Sequence, residues 1–316
     1  MHKILFLLAT GLIYLLSRLP MKVLYFLASL LGFILFRIFG YRRDVITINI
    51  ARSFPSLKYK EVLKIRRGFY RNFCDIVAEN IKFASISKRQ LKRLAIIENP
   101  QVLKKFHERC LPLVIIGAHM GNWEIMSNII NVEGGEDIGY DITQLCCVYK
   151  QQHSRLSDDI VKWTRLRGGG KKLVESGLAA RTILRNKEKP ICYFLFSDQS
   201  PKPGSKFRVS FLGQQTFMIN GPELISKAAG LPVVFMEVNK IKRGRYILRF
   251  HEITENSAEC EEGFVTGKFA ELLESSITSN PSNWLWSHKR WKRGLEDNVI
   301  KKNGKNKSTF SILQCF

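Results

Sequence analysis

A short apolar run that ends in glycine and is followed by a histidine constrains the fold of this chain most. Residues 113–116 (LVII) have the composition of a buried β-strand, and Gly117 follows them. Asn122 is suited to cap a helix, and residues 124–130 show an amphipathic helical pattern. Open α/β sheets bind ligands at the carboxyl ends of their strands. The sequence therefore predicts that His119 lies at a strand end, where a ligand can reach it.

Similar strand-like runs recur along the chain and alternate with helical stretches. This alternation predicts an α/β fold with a mixed central sheet flanked by helices. Residues 60–83 form a long helical pattern whose apolar positions lie opposite a row of lysines and arginines. That basic face fits a solvated helix surface and equally a contact with a membrane surface. The strand-like runs are residues 113–116, 145–149, 191–196, 232–238 and 246–250.

Two uncharged apolar segments, residues 4–17 and 23–36, occupy the amino-terminal region and are bounded by lysines and arginines. A helix of fourteen residues extends only ~21 Å, which is short of a hydrocarbon core of ~30 Å. Pro20 can break a helix between them. A cleaved signal peptide and a buried hairpin are alternatives. We expect a helical membrane anchor, either one span or a pair of helices in the interface, that leaves the membrane at residues 41–43 on the cytoplasmic side.

The charge of the chain predicts the chemistry of its partners. A formal net charge of +23 on 316 residues indicates an anionic partner. The sequence lacks zinc-finger, helix-turn-helix and RNA-recognition patterns, so a membrane surface or phosphorylated substrate is favoured over nucleic acid. Seven cysteines without CxxC spacing indicate a reducing compartment, and the histidines lack metal-ligand spacing. We divide the chain into an anchor (1–40), a main domain (41–297) and a disordered basic tail (298–316).

His119 and Glu124 form the most informative pair of polar residues. A histidine can remove a proton from a hydroxyl as a general base, and a nearby carboxylate can fix its tautomer. The four-residue spacing alone also fits a loop histidine beside a surface glutamate. Small residues at 117, 118 and 121 favour the catalytic interpretation, because they let the backbone approach a substrate closely. Backbone amides near residues 121–122, or Arg165, could then stabilise an oxyanion.

Further polar residues follow other predicted elements. Asp198 and Gln199 come after the strand-like run 191–196, either as a turn or as groups that place an acceptor or the His119 region. Arg165 and Arg167 suit phosphate oxygens, with a solvated basic face as the alternative. A tryptophan-rich basic segment, residues 284–293, fits a bilayer interface and equally an element that packs on the sheet.

These motifs do not stand alone, and in this order they resemble the late acyltransferases of lipid A biosynthesis, which belong to the lysophospholipid acyltransferase superfamily. The resemblance covers residues 1–293. Lys289 and Trp291 depart mildly from the pattern, because many relatives carry Arg and Phe there. The matching blocks are residues 41–43 (YRR), 117–124 (GAHMGNWE), 163–168 (WTRLRG), 196–199 (FSDQ), 209–213 (VSFLG) and 284–292 (WLWSHKRWK).

The resemblance implies an O-acyltransferase at the cytoplasmic face of the inner membrane, with residues 41–297 as its catalytic domain. Such an enzyme moves a fatty acyl group from a thioester, usually on acyl carrier protein and otherwise on CoA, to a hydroxyl of an anionic lipid A precursor. It needs no other cofactor and no metal. Related enzymes that acylate mannosides or ornithine lipids share the His-x-x-x-x-acid pattern, and a non-catalytic basic membrane protein is a further alternative. The implied catalytic residues are His119 and Glu124, and the implied substrate-binding residues are Asn122, Arg165, Arg167, Asp198 and Gln199.

Overall fold

The structure is a computed structural model that describes residues 2–167, 169–201, 205 and 207–292. The expected α/β class is confirmed. The strands within these residues are β1 (Ala95–Ile97), β2 (Leu113–Gly117), β3 (Leu145–Tyr149), β4 (Lys172–Glu175), β5 (Cys192–Phe196), β6 (Arg208–Phe211), β7 (Gln214–Phe217), β8 (Val233–Lys242) and β9 (Arg245–Thr254).

In the part of the chain that the structure describes, seven strands form one mixed sheet in the order β1-β9-β8-β2-β5-β3-β4. β8 and β9 pair antiparallel, and the other neighbours pair parallel. β6 and β7 form a separate antiparallel hairpin. The five expected strands are confirmed. β1, β4, β6 and β7 were not expected, because three or four residues are too short to show a clear period.

Helices cover both faces of the sheet, which explains why the central strands are apolar at consecutive positions. On β2, Val114 and Ile116 pack in one core cluster with helices on that face, whereas Leu113 and Ile115 pack in a second cluster on the other. The α-helices are α1 (His2–Ser17), α2 (Met21–Gly32), α3 (Arg43–Ser53), α4 (Tyr59–Lys82), α5 (Lys88–Leu94), α6 (Gln101–Glu108), α7 (Arg155–Leu166), α8 (Ala179–Arg185), α9 (Gly221–Ala229) and α10 (Phe264–Ser279).

The amino-terminal segments form α1 and α2, with the expected break at Pro20. A π-helix (Phe33–Ile38) continues α2, so that residues 21–38 form the one described helix long and apolar enough to cross a membrane. The expected long helix at 60–83 is present as α4. The expected tail, residues 298–316, lies outside the described residues, and the division into an anchor and a catalytic domain stays a prediction.

Candidate active site

The pairing of two central strands brings together residues that lie far apart in the sequence. β2 and β5 are parallel neighbours, and Gly117 at the end of β2 lies opposite Phe196 at the end of β5. His119 and Asp198 each follow two residues later. Since the carboxyl ends of parallel strands meet at the same edge of a sheet, both side chains reach the same point, as strand-end ligand sites in α/β folds do.

Asp198 holds both the ring and the backbone of His119. Its Oδ1 lies 2.7 Å from Nδ1 of the imidazole, and its Oδ2 accepts a hydrogen bond from the His119 backbone N–H at 2.9 Å. The indole Nε1–H of Trp284 donates to the same Oδ2 at 2.9 Å. An ionised carboxylate can only accept, so Nδ1 of His119 is the nitrogen that donates to Asp198, and in the neutral ring Nε2 carries the lone pair.

The charge state of Asp198 follows from these partners. Its side chain is 2% exposed, and burial by itself raises the pKa of a carboxyl group. The charge of His119 and the hydrogen bonds from His119 and Trp284 outweigh that burial and lower the pKa of Asp198 to about 2. Asp198 is therefore ionised at neutral pH and stabilises a proton on the ring that it faces.

The second ring nitrogen of His119 faces the more open side of the site. The side-chain nitrogen of Gln199 lies 3.4 Å from Nε2. The rings of Trp123 and Phe196 lie 5.1 and 4.9 Å from the imidazole, so the histidine is held between two aromatic side chains. About a sixth of the His119 side chain, 17%, is exposed. Because Nδ1 is bound to Asp198, Nε2 is the ring nitrogen left to act on a ligand.

Glu124 has a different partner from the one expected from the sequence. Its two carboxylate oxygens accept hydrogen bonds from Nε and Nη2 of Arg165, at 2.9 and 2.5 Å. Burial raises the pKa of Glu124, but the charge and hydrogen bonds of Arg165, together with the charge of His119 and a hydrogen bond from Trp123, lower it overall. Glu124 thus forms a two-pronged ion pair with Arg165 near His119, and the carboxylate that fixes the imidazole is Asp198. The geometry corrects the expected direct contact between Glu124 and His119.

The segment after His119 differs from the expected amphipathic α-helix, because residues Trp123–Asn131 form a 3₁₀ helix. Asn122 caps it as expected, and its side-chain oxygen accepts from the Glu124 backbone N–H at 3.2 Å. The Asn122 side-chain nitrogen donates to the fully buried Glu79 at 2.9 Å. Asn122 is itself completely buried. Its side chain therefore fixes the loop from behind in this structure, and the substrate-binding role of Asn122 stays a prediction.

Glu79 ties this loop to two other parts of the protein. Tyr25 of α2 and Tyr246 of β9 each donate a hydrogen bond to its carboxyl group at 2.8 Å. Burial raises the pKa of Glu79, and the nearby Lys240 and the donors oppose that rise. The histidine loop, α2 and the sheet thus meet at one buried carboxyl group.

The backbone conformation at position 121 requires a glycine, and the Gly121 N–H already donates a hydrogen bond within the protein. Its φ of +52° is in the left-handed region, and a Cβ there would lie 2.9 Å from the Val238 carbonyl oxygen. The Gly121 N–H donates to the Asn283 carbonyl at 2.9 Å. It is therefore not the oxyanion donor that the sequence suggested at residues 121–122.

Residues 284–292 pack behind the site. Their tryptophans therefore belong to an element that packs against the domain rather than to a bilayer interface. Trp284 and Trp286 are buried, and the Leu285 N–H donates to the His119 carbonyl at 3.0 Å. Arg290 is buried and donates to Thr216 Oγ1 and to the Phe217 carbonyl at 3.0 and 2.8 Å. This segment therefore braces the histidine loop from inside the protein.

His288 was not singled out from the sequence, yet it lies close to the site. The Ser200 backbone N–H donates to its Nε2 at 3.0 Å. Burial lowers the pKa of His288 to about 4, although the negative charge of Asp198 opposes that shift. His288 is thus neutral at pH 7 and fixes the residues that follow Gln199. In the sequence, the position of His288 within the tryptophan-rich block 284–292 was the one feature that pointed to this residue.

The two arginines of the 163–168 block have different surroundings. Arg165 faces Glu124, as described above. The Arg167 guanidinium lies over the rings of Trp163 and Tyr14, at 4.8 and 5.4 Å, and therefore at the junction of α7 with α1. The structure brings His119, Asp198 and Gln199 together, puts Glu124 and Arg165 beside them, and leaves Arg167 at α1.

A histidine that contacts an ionised carboxylate at the end of a parallel strand is an arrangement suited to moving a proton to or from a bound ligand. A family model described as bacterial lipid A biosynthesis acyltransferase matches residues 1–293. The chain belongs to this family and is accordingly an O-acyltransferase of lipid A biosynthesis.

Two curated relatives extend the comparison. A protein of Escherichia coli (strain K12) named lipid A biosynthesis palmitoleoyltransferase is 20% identical over 289 residues, which cover 89% of each chain. A protein of Shigella flexneri named lipid A biosynthesis acyltransferase is similar to the same extent, with 20% identity and 89% coverage of each chain.

Proposed function

We propose that this enzyme transfers a fatty acyl group from an acyl thioester on acyl carrier protein to a hydroxyl of a lipid A precursor, with His119 as general base. The observation that carries the proposal is the 2.7 Å contact between Asp198 and Nδ1 of His119, which leaves Nε2 as the basic atom. A hydroxyl is a poor nucleophile at neutral pH, and general-base catalysis contributes ~10²–10⁴-fold to such reactions.

The proposed reaction is a direct transfer. Nε2 of His119 removes the hydroxyl proton as the oxygen attacks the thioester carbonyl, and Asp198 stabilises the imidazolium that forms. The tetrahedral intermediate then collapses, the carbon–sulfur bond breaks, and the imidazolium returns the proton to the thiolate. Among the described residues, the polar side chain next to Nε2 is the Gln199 amide. An amide is not a nucleophile, but it can donate a hydrogen bond to the acceptor or to the oxyanion.

The charge distribution supports an acidic carrier and a phosphorylated acceptor. Lys60, Lys64, Arg67 and Arg71 are all exposed on one face of α4. Their spacing of three or four residues makes a continuous basic stripe. We propose that this stripe and the high net charge attract the acidic carrier protein to the cytoplasmic face of the inner membrane. Transfer from the carrier should therefore be faster at low salt than at high salt.

Purified full-length protein with acyl-loaded carrier protein and a lipid A precursor tests this function. We expect an ester product from the unaltered protein and a loss of at least ~10²-fold in kcat for His119→Ala. His251→Ala is the matched control, because His251 is also paired with a carboxylate, Glu237 at 2.9 Å, but on β9.

Three results would count against the proposal. Undiminished transfer by His119→Ala would remove the histidine from the mechanism. Release of free fatty acid without any ester product would make the protein an esterase. Equal use of acyl-CoA, with no response to salt, would remove acyl carrier protein as the donor.

A further inference from the structure

The amino-terminal helices present an apolar surface that the described protein residues do not cover. On α1 its members recur every three or four residues, as on one side of a helix. A second row continues along α2 and the π-helix. The exposed residues of this surface are Ile4, Leu7, Leu8, Leu12, Leu15, Phe26, Leu31, Phe33, Ile38 and Phe39. Exposed apolar surfaces of this extent mark interaction sites.

The helix α1 is attached to the rest of the protein at both of its ends. In its first turn, His2 Nε2 lies 2.8 Å from Asp159 Oδ2 of α7. At its last turn, Lys82 of α4 donates to the Ser17 carbonyl oxygen at 2.8 Å, and the Ser85 hydroxyl donates to the same oxygen at 2.8 Å. The helix therefore lies along the surface of the main domain, and neither end extends away from it.

The second helix is attached along its whole length to α4. Near its start, Tyr25 donates to Glu79 at 2.8 Å. In its middle, Gly32 lies so close to Cys74 that a Cβ at position 32 would be 2.1 Å from the thiol sulfur. In the π-helix, Phe36 stacks on Tyr70 with a ring separation of 4.1 Å. As the residue number rises along α2 and the π-helix, the number of the contacted residue on α4 falls, so the two helices run antiparallel side by side.

These attachments are incompatible with a helix that crosses a bilayer alone. A span from residue 21 to residue 38 would take α4 with it, because the two pack from Tyr25 to Phe36. α4 holds Asp75 in ion pairs with Lys240 and Arg243, at 2.7 and 2.8 Å. Ionised groups are costly inside hydrocarbon, and α4 also exposes its basic stripe of lysines and arginines.

We propose that residues 2–39 form a monotopic surface that lies in one anionic leaflet, with both ends of each helix on the side of the catalytic domain. Interfacial helices enter the boundary of the leaflet by ~5–10 Å, a depth that the exposed apolar side chains can fill. Exposed cations at the ends of the helices match anionic headgroups. These are Lys3, Arg18, Lys22 and Arg37. The inference rests on the membrane location given under the proposed function, and it excludes a single-pass topology.

Impermeant maleimide labelling of single cysteines in sealed inside-out inner-membrane vesicles tests the topology. The three variants are Lys3→Cys, Arg18→Cys and Arg37→Cys, with Glu188→Cys as the reference on the catalytic domain, where the side chain is 86% exposed. We expect all three to label to the same extent as the reference, before and after permeabilisation. A span places at least one of them in the lumen, so labelling that requires permeabilisation would overturn the proposal. Three cysteines are first changed to serine: the exposed Cys110, the half-buried Cys260, and Cys315, which lies outside the described residues.

A second measurement tests whether lipid covers the apolar face. Leu8→Glu should weaken binding of the full-length protein to phosphatidylglycerol-containing vesicles by at least tenfold. Leu224→Glu, which alters an equally exposed leucine on α9, should leave it unchanged. Equal binding by the two variants, or self-association without vesicle binding, would contradict the proposal. Neither experiment measures acyl transfer. The proposed topology can therefore be refuted while the proposed function stands, and the proposed function can be refuted while the topology stands.

Discussion

Asp198→Asn is the change that tests the site geometry most directly. The Asp198 carboxylate accepts three hydrogen bonds, one from the His119 ring on Oδ1 and two on Oδ2, from the His119 backbone and Trp284. An asparagine has only one accepting oxygen. If the asparagine oxygen keeps its hydrogen bonds from the His119 backbone N–H and the Trp284 indole, the asparagine NH₂ group faces Nδ1 of His119. Nδ1 must then accept a hydrogen bond instead of donating one. The ring proton moves to Nε2, and the base is lost.

The expected size of the effect follows from the tautomer. In Ser-His-Asp enzymes the corresponding Asp to Asn change lowers turnover ~10⁴-fold while the geometry stays intact. Such a loss is about 5 kcal/mol of transition-state stabilisation. Since Asp198 touches the imidazole and is buried away from solvent, we expect kcat to fall by ~10³–10⁴-fold with KM changed only a few-fold.

The assay is steady-state acyl transfer by the purified protein, with thermal unfolding measured on the same samples. Glu237→Gln is the matched control, because its carboxylate is buried and bonded to a histidine, His251, and to Ser276 of α10. We expect that variant to keep its kcat within a few-fold. If Asp198→Asn folded normally and kept more than a third of the wild-type kcat, Asp198 would not orient the base.

Two further predictions concern stability. Arg165→Met leaves the largely buried Glu124 carboxylate without its cation. We expect the free energy of unfolding, measured by urea titration, to fall by about 3 kcal/mol. A double variant that also carries Glu124→Gln should recover part of this loss. A change below about 0.5 kcal/mol in the single variant would show that the pair is solvated. The pKa of Asp198 is about 2 in the folded protein, whereas its ordinary value is 3.8. Above about pH 4 this difference adds about 2 kcal/mol to the free energy of unfolding. That contribution is lost as the pH falls through about 2. The difference in unfolding free energy between the wild type and Asp198→Asn should shrink over that interval, and a constant difference would contradict the assigned pKa.

The sequence by itself determined the position of the histidine and the type of fold. A run of four apolar residues followed by glycine has the pattern of a strand that is buried on both of its faces. β2 ends at Gly117, and His119 follows it as expected. The same reasoning placed Asp198 after β5, and the uncharged amino-terminal segments form helices with a break at Pro20.

The tertiary structure decided which acid serves the histidine. Glu124 is near in the sequence, but the 3₁₀ helix after Asn122 directs its carboxylate to Arg165. Asp198 is 79 residues away and becomes the partner because β2 and β5 are neighbours in the sheet. Strand neighbours depend on the packing of the whole domain, and local periodicity carries no record of them. The contact from Trp284 and the attachment of α1 at both ends depend on the same long-range packing.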